Sequence, residues 1–119
     1  MQTPGPDGTR PLLRFAFNLS ATEPSRTLVP GQSISGFPAM WLDAARNRLC
    51  VEFVRRKAST NPDIVYEVQF SSVLSNWNSA GTETSVTSID SIWERVRHED
   101  TVSASQAQAR FCRVAVRLQ

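Results

Sequence analysis

His98 is the only histidine in this chain of 119 residues, and acidic residues lie close to it in sequence. Glu99 and Asp100 follow it directly, and Glu94 precedes it on the same segment. Zinc binding would need a second ligating histidine or a cysteine set, and serine–histidine catalysis would need a positioned nucleophile, for which the chain has no Gly-x-Ser-x-Gly turn. We therefore interpret His98 as a histidine at a strand end beside solvated acids.

Other catalytic patterns are equally weak. The 11 acidic residues are scattered among arginines, which favours surface ion pairs over the two facing carboxylates of a glycoside hydrolase. The sequence contains no phosphate-binding loop and no dinucleotide-binding fingerprint. We expect a protein that is not an enzyme and that uses no metal and no other cofactor.

Arginines form the first candidate ligand site. Arg95 and Arg97 alternate on one segment, and Arg113 and Arg117 do so on another. If the two segments were neighbouring strands, four guanidinium groups would form a stripe able to bind acidic polysaccharide or nucleic acid. The interpretation we favour is cross-strand pairing of these arginines with acidic residues. The expected partners are Glu52, Glu67 and Glu94.

Tryptophans form the second candidate site. An exposed indole on a sheet is suited to stacking on a sugar ring, because both surfaces are flat and apolar. Trp93 shares a predicted strand face with Arg95 and Arg97, so we expect it to be partly exposed, and the position of Trp41 is ambiguous. For both, packing in the core or at an edge is the preferred alternative.

Overall charge and the cysteines narrow the class of protein. The formal net charge is +2, which gives no reason to expect a nucleic-acid partner. No apolar run is long enough to span a membrane, so we expect no membrane insertion.

Cys50 and Cys112 fall on differently oriented strand faces, which argues against a disulfide because a disulfide requires converging Cβ vectors.

The candidate residues named above are positioned by predicted β-strands. In the segment Ile64–Ser71 apolar residues alternate with mixed ones, which is typical of a half-buried strand. Six strands are predicted in all, and the fourth is a polar edge strand indicated by its Thr and Ser content. They cover 39–43, 48–56, 64–71, 82–89, 91–98 and 110–118. The spacing predicts an all-β, antiparallel sandwich of the immunoglobulin or fibronectin type III kind.

Before the strands, we expect a flexible lead-in over residues 1–10, a short helix over 11–19 and a long surface connection over 20–36. Pro11 supplies a helix-start signal. We expect the helix to dock on the sandwich through Leu12, Phe15 and Leu19. Residues 11–119 thus form one domain, and Trp77 is assigned to its core by the resemblance described next.

Three segments carry a resemblance to a known module: Asp7–Phe17 (DGTRPLLRFAF), Ile64–Trp77 (IVYEVQFSSVLSNW) and Ala109–Val116 (ARFCRVAV). They resemble a C-terminal module of large secreted and surface proteins of Verrucomicrobia and Planctomycetes. In that family the first segment resembles a dockerin-like or thrombospondin-type calcium loop. Here only Asp7 is retained and Arg14 occupies the position of the closing Glu, whereas calcium needs six to eight oxygen ligands. We expect no calcium site.

The resemblance implies a non-catalytic accessory or structural module of an extracellular or cell-surface bacterial protein, although no signal peptide is visible after Met1. Two alternatives stay open. One is a carbohydrate-binding module that uses Trp93 or Trp41 with the nearby arginines. The other is a self-assembling subunit, in which the edge strand Thr82–Ile89 pairs with another protein chain.

Overall fold

The computed structural model describes residues 11–19, 26–106 and 109–119. The expected lead-in, Asp7 and the first part of the long connection lie outside the described residues. The elements are helix α1 (Pro11–Phe17) and seven strands. The strands are β1 (Ala39–Asp43), β2 (Arg48–Arg56), β3 (Ile64–Ser71), β4 (Asn78–Ser79), β5 (Thr82–Ser88), β6 (Trp93–Glu99) and β7 (Phe111–Leu118). Short 3₁₀ turns lie at Ala58–Thr60 and Ala104–Gln106.

Two antiparallel sheets make up the fold. The first has the strand order β1-β2-β6-β5 and the second has the order β4-β3-β7. The six long strands agree with the predicted segments to within two residues, because period-2 alternation is a strong signal when one face of a strand is buried. The two-residue strand β4 was not predicted. The prediction of an all-β sandwich with one short helix is confirmed.

The main core lies between the two sheets. Val51 and Phe53 of β2 and Val96 of β6 come from the first sheet, while Val68 and Phe70 of β3 come from the second. All five residues are buried. Burying such side chains contributes about 1.5–3 kcal/mol each, which makes this contact the main source of stability.

Helix α1 closes one side of this core, packing against β2 and β7. Ala16 and Phe17 are its buried residues, and Leu12 and Leu19 pack against the same core. The expected anchor Phe15 is instead 40% exposed. Its ring lies under the guanidinium of Arg56, 3.5 Å from the ring centroid. The prediction was wrong on Phe15 because Phe17 is the aromatic residue that faces the core.

A second, smaller core lies on the outer face of the first sheet. It contains Leu28, Ala39, Val54 and Trp93, all of them buried. Leu28 belongs to the segment 26–38, which runs across this face and is closed on itself by a parallel bridge between Thr27 and Phe37. The centre of strand β2 is therefore buried on both faces, and Leu28 of the segment expected to be a surface connection is part of the packing.

Candidate functional site

The outer face of the first sheet brings four of the six predicted ligand residues together. Trp41 lies on β1, and Trp93, Arg95 and Arg97 lie on β6. Between them, on β2, is Glu52, whose carboxylate is buried. Strand pairing sets this arrangement, because Glu52 is in register with Arg97 on one side and with Ala39 on the other.

Glu52 connects the residues of this face through hydrogen bonds. Its Oε1 accepts hydrogen bonds from Nε and Nη2 of Arg97 over 3.1 and 2.9 Å. Its Oε2 accepts the backbone N–H of Gly31. Arg95 lies 3.7 Å from that same oxygen and donates from Nη1 to the carbonyl of Ser33. These bonds fasten the segment 26–38 across the sheet and direct both guanidinium groups inward.

Trp93 is buried, with 7% of its surface exposed, which agrees with the preferred alternative of packing and contradicts the partial exposure that sugar stacking requires. It packs against Leu28, Ala39 and Val54. The reason is the covering segment 26–38, whose polar composition gave no signal of burial. The sequence of β2 did contain one indication of burial. Cys50 and Val54 make its second face apolar as well, which is typical of strands covered on both sides.

The proposed stripe of four arginines is not formed. Arg95 and Arg97 lie on β6 of the first sheet, whereas Arg113 and Arg117 lie on β7 of the second. Since β6 pairs with β2 and β5, and β7 pairs with β3, the two pairs of arginines are on separate sheets. The stripe required the two segments to be neighbouring strands, and the structure contradicts this.

Cross-strand pairing is what most of these arginines do. Arg97 pairs with Glu52, and Arg117 donates from Nε to Glu67 over 2.7 Å. That hydrogen bond, aided by the positive charge, lowers the pKa of Glu67. Arg113 donates to the Gln69 amide oxygen instead of a carboxylate. The third expected acid, Glu94, pairs with Arg55 at 2.6 Å.

Each of the three tryptophan rings is covered by a guanidinium group. Distances from the guanidinium carbon to the ring centroid are 4.9 Å for Arg97 over Trp41, 4.6 Å for Arg56 over Trp93 and 4.4 Å for Arg113 over Trp77. The three arginines are also hydrogen-bonded to protein oxygens. An arginine on the face of an indole occupies the surface that a sugar ring would use.

Trp77, assigned to the core, is half-buried and lies at an apolar groove of about 350 Å³. Its Nε1 donates to the Leu74 carbonyl. Met40 and Leu74, which are 47% and 67% exposed, line the groove together with Phe111. The core prediction for Trp77 is thus not met, because its ring lies at this open groove with the guanidinium of Arg113 over it.

The groove is supported by a buried ion pair. Arg110, at its rim, donates from Nε and Nη2 to the two oxygens of Asp100 over 2.7 and 2.8 Å, and from Nη1 to Ser72. The Asp100 side chain is fully buried. Its hydrogen bonds raise the pKa of Arg110. A bidentate, buried pair of this kind fixes both side chains and the start of β7.

The acids around His98 are not solvated, which corrects the interpretation of that cluster. Glu99 and Asp100 are buried, and Glu99 accepts hydrogen bonds from Arg46 over 2.6 and 2.9 Å. His98 itself is half-buried and stacks against Phe53, with 5.8 Å between ring centroids. Burial lowers its pKa, so the imidazole is neutral at pH 7. The acidic residues beside His98 therefore have structural roles in the protein.

Cys50 and Cys112 are both free thiols, in line with the argument from strand phase. Burial raises the pKa of Cys50, and burial raises the pKa of Cys112 to about 12. Cys112 is therefore a protonated thiol at neutral pH and a poor nucleophile.

Within the described ranges, no group of three or more His, Cys, Asp or Glu side chains could hold a metal ion. No helix in that part of the chain is long and apolar enough to cross a membrane. Comparisons with protein-family models, with curated proteins and with solved structures gave no match to this chain.

Proposed function

We propose that this protein is a non-catalytic structural module, a compact β-sandwich that serves as an accessory domain of an extracellular or cell-surface bacterial protein. One observation carries the proposal: a guanidinium group lies over each tryptophan ring that is suited to ligand binding. The guanidinium groups of Arg97, Arg56 and Arg113 each cover an indole and each donate to a protein oxygen.

Two further points support this role. The segments that carry the resemblance to the secreted module include Ile64–Ser71, which is strand β3, and residues 111–116, which are most of its partner strand β7. The resemblance therefore involves residues that build the sheet, as expected for a structural module, and not residues of a reactive site. The immunoglobulin-like or fibronectin type III-like assignment and the extracellular location are parts of this proposal.

Carbohydrate binding is the competing function, and polysaccharide binding tests the proposal directly. We expect no saturable binding of the wild-type protein to a panel of neutral and acidic polysaccharides. Trp41→Ala would serve as the site variant, because Trp41 is the half-exposed member of the predicted pair. Trp77→Ala is the matched control, because Trp77 is a half-buried tryptophan in the loop between β3 and β4. Saturable binding that is lost in Trp41→Ala and kept in Trp77→Ala would overturn the structural role.

A further inference from the structure

Among the described residues, strand β5 (Thr82–Ser88) forms one edge of the first sheet and pairs with β6 alone. All seven of its residues are exposed. Val86, which lies opposite the buried Val96, is itself 47% exposed. The second sheet therefore does not extend over β5, and both faces of this strand are accessible.

Hydrogen bonding shows which backbone groups of β5 are directed outward. Ile89 donates its backbone N–H to the carbonyl of Trp93, just beyond the regular pairing. Hydrogen-bonded pairs alternate along an antiparallel ladder, so the pairs Thr87–Arg95 and Ser85–Arg97 are the bonded ones. The N–H and C=O groups of the residues between and beside them, Val86 and Ser88, point away from β6.

Natural sheets protect their edges with lysine, proline, inward-pointing charge or a bulge. In β5 (TETSVTS) the protection given by the strand itself is confined to its first half, where Glu83 lies and where the register shifts between Glu83 and Ser85. At the other end, the ammonium group of Lys57 donates to the Ser88 hydroxyl over 2.7 Å. The Glu83 carboxylate is drawn back toward Arg55 at 3.0 Å and toward His98 at 3.5 Å. The second half, Ser85–Ser88, is regular, uncharged and open to pairing.

We propose that β5 pairs with β5 of a second copy of this chain, antiparallel and around a two-fold axis at Val86. This register places Val86 opposite Val86 of the second copy and Ser85 opposite Thr87. It joins outward-facing backbone groups to outward-facing groups and covers the exposed valine. Each Glu83 falls opposite Ile89 of the other copy, so no like charges meet. The product is a continuous eight-stranded sheet.

This inference goes beyond the structural role, which a monomer would serve equally well, so its failure would leave that role untouched. The first test is sedimentation of the intact protein from low micromolar to near-millimolar concentration. We expect a monomer–dimer equilibrium. Hydrogen exchange should then show amides of Val86 and Ser88 that become protected as concentration rises, while that of Thr87 is protected throughout. A monomer at every concentration, or a dimer without this change, would overturn the inference.

A pair of variants checks the position of the axis. Val86→Lys places two ammonium groups opposite each other and should raise the dimer dissociation constant about tenfold or more. Val29→Lys is the matched control, since Val29 is 51% exposed and lies outside the strands. Circular dichroism would establish that both variants fold. Dimerisation of Val86→Lys at wild-type strength would refute the proposed pairing.

Discussion

Arg97 of β6 donates two hydrogen bonds to one oxygen of Glu52, the buried carboxylate at the centre of the outer face of the first sheet. The second oxygen of Glu52 holds the backbone of Gly31. A single carboxylate therefore ties together β2, β6 and the covering segment 26–38. It also explains why the predicted ligand face is a packed surface.

Glu52→Gln tests the importance of this carboxylate. The substitution keeps the shape of the side chain but leaves the guanidinium groups of Arg97 and Arg95 without a counter-charge. We expect the free energy of unfolding, measured with urea, to fall by about 2–3 kcal/mol. Glu67→Gln is the control, because Glu67 forms an exposed pair with Arg117. Equal losses in the two variants would contradict the role assigned to Glu52.

Most of the strands could be read from the sequence because they have a buried face, and burial of alternate residues leaves a period of two. Strand β5 is exposed throughout, and its Thr and Ser content indicated it instead. The position of Phe15 could not be read in this way. Residues two apart on a helix differ in direction by roughly 200°, so only one of Phe15 and Phe17 can face the core. In a helix of seven residues the sequence pattern does not show which of the two faces the core. The packing of the helix against β2 determines it.

The candidate site was harder to predict for a related reason. Trp93, Arg95 and Arg97 were correctly placed on one face, because they alternate along a strand. Their burial depends on Leu28, which is 2% exposed and lies in a segment rich in polar residues and proline. Of the four large apolar residues in that segment, Leu28, Val29, Ile34 and Phe37, only Leu28 is buried. Their spacing shows no periodicity, so nothing local indicates that the segment covers a sheet.

Gly36 is required where the covering segment closes on itself. Its φ is +131°, and a Cβ atom there would lie 2.8 Å from the backbone nitrogen of Leu28 and 2.9 Å from the carbonyl oxygen of Arg26. We expect Gly36→Ala to lower the unfolding free energy by about 2 kcal/mol or more, because backbone strain and a backbone clash add. Thermal and urea unfolding would measure this loss.

Gly31→Ala is the matched control for that prediction. Gly31 also has a positive φ, +75°, but a Cβ atom there would meet nothing within 4 Å. Only the cost of the left-handed conformation remains, about 1 kcal/mol. If Gly36→Ala were no more destabilising than Gly31→Ala, the close approach between Gly36 and Leu28 would not be important for stability.

His98 should make the stability depend on pH. Burial lowers its pKa in the folded state, with Glu83 opposing this shift and Arg55 adding to it. Below the unfolded value of about 6.5, the unfolded chain binds a proton that the folded chain does not bind. We therefore expect the unfolding free energy to fall as the pH drops below about 6.5, by at most about 1.4 kcal/mol per unit from this residue.

The contribution of His98 can be isolated with His98→Leu. Neither ring nitrogen makes a hydrogen bond in the described structure, and the Glu83 carboxylate lies 3.5 Å from Nε2. Replacement by an apolar residue leaves Glu83 paired with Arg55 and creates no new unsatisfied group. Urea unfolding of both proteins at pH 7.5 and 5.5 gives the comparison, and the wild type should lose more stability than the variant. Parallel losses would show that other groups cause the pH dependence.

Tyr66 joins helix α1 to both sheets. Its hydroxyl donates to the carbonyl of Ala16 and accepts the backbone N–H of Arg56 over 3.0 Å. Tyr66→Phe keeps the ring contacts with Phe17 and Phe53 but removes both hydrogen bonds. We expect a loss of about 1–2 kcal/mol, together with faster hydrogen exchange in α1. Thr60→Val, which removes an exposed hydroxyl bonded to the Lys57 carbonyl, should have a smaller effect.

The phenol of Tyr66 also offers a direct spectroscopic test. It is the only tyrosine in the chain, and burial raises its pKa to about 12. The unfolded chain loses its phenolic proton near pH 10, so the stability contributed by the neutral phenol is complete below pH 10 and is lost as the pH rises toward 12. Ultraviolet titration of the folded protein should give a midpoint well above that of a free tyrosine. A midpoint near 10 would mean that α1 does not cover Tyr66 in solution.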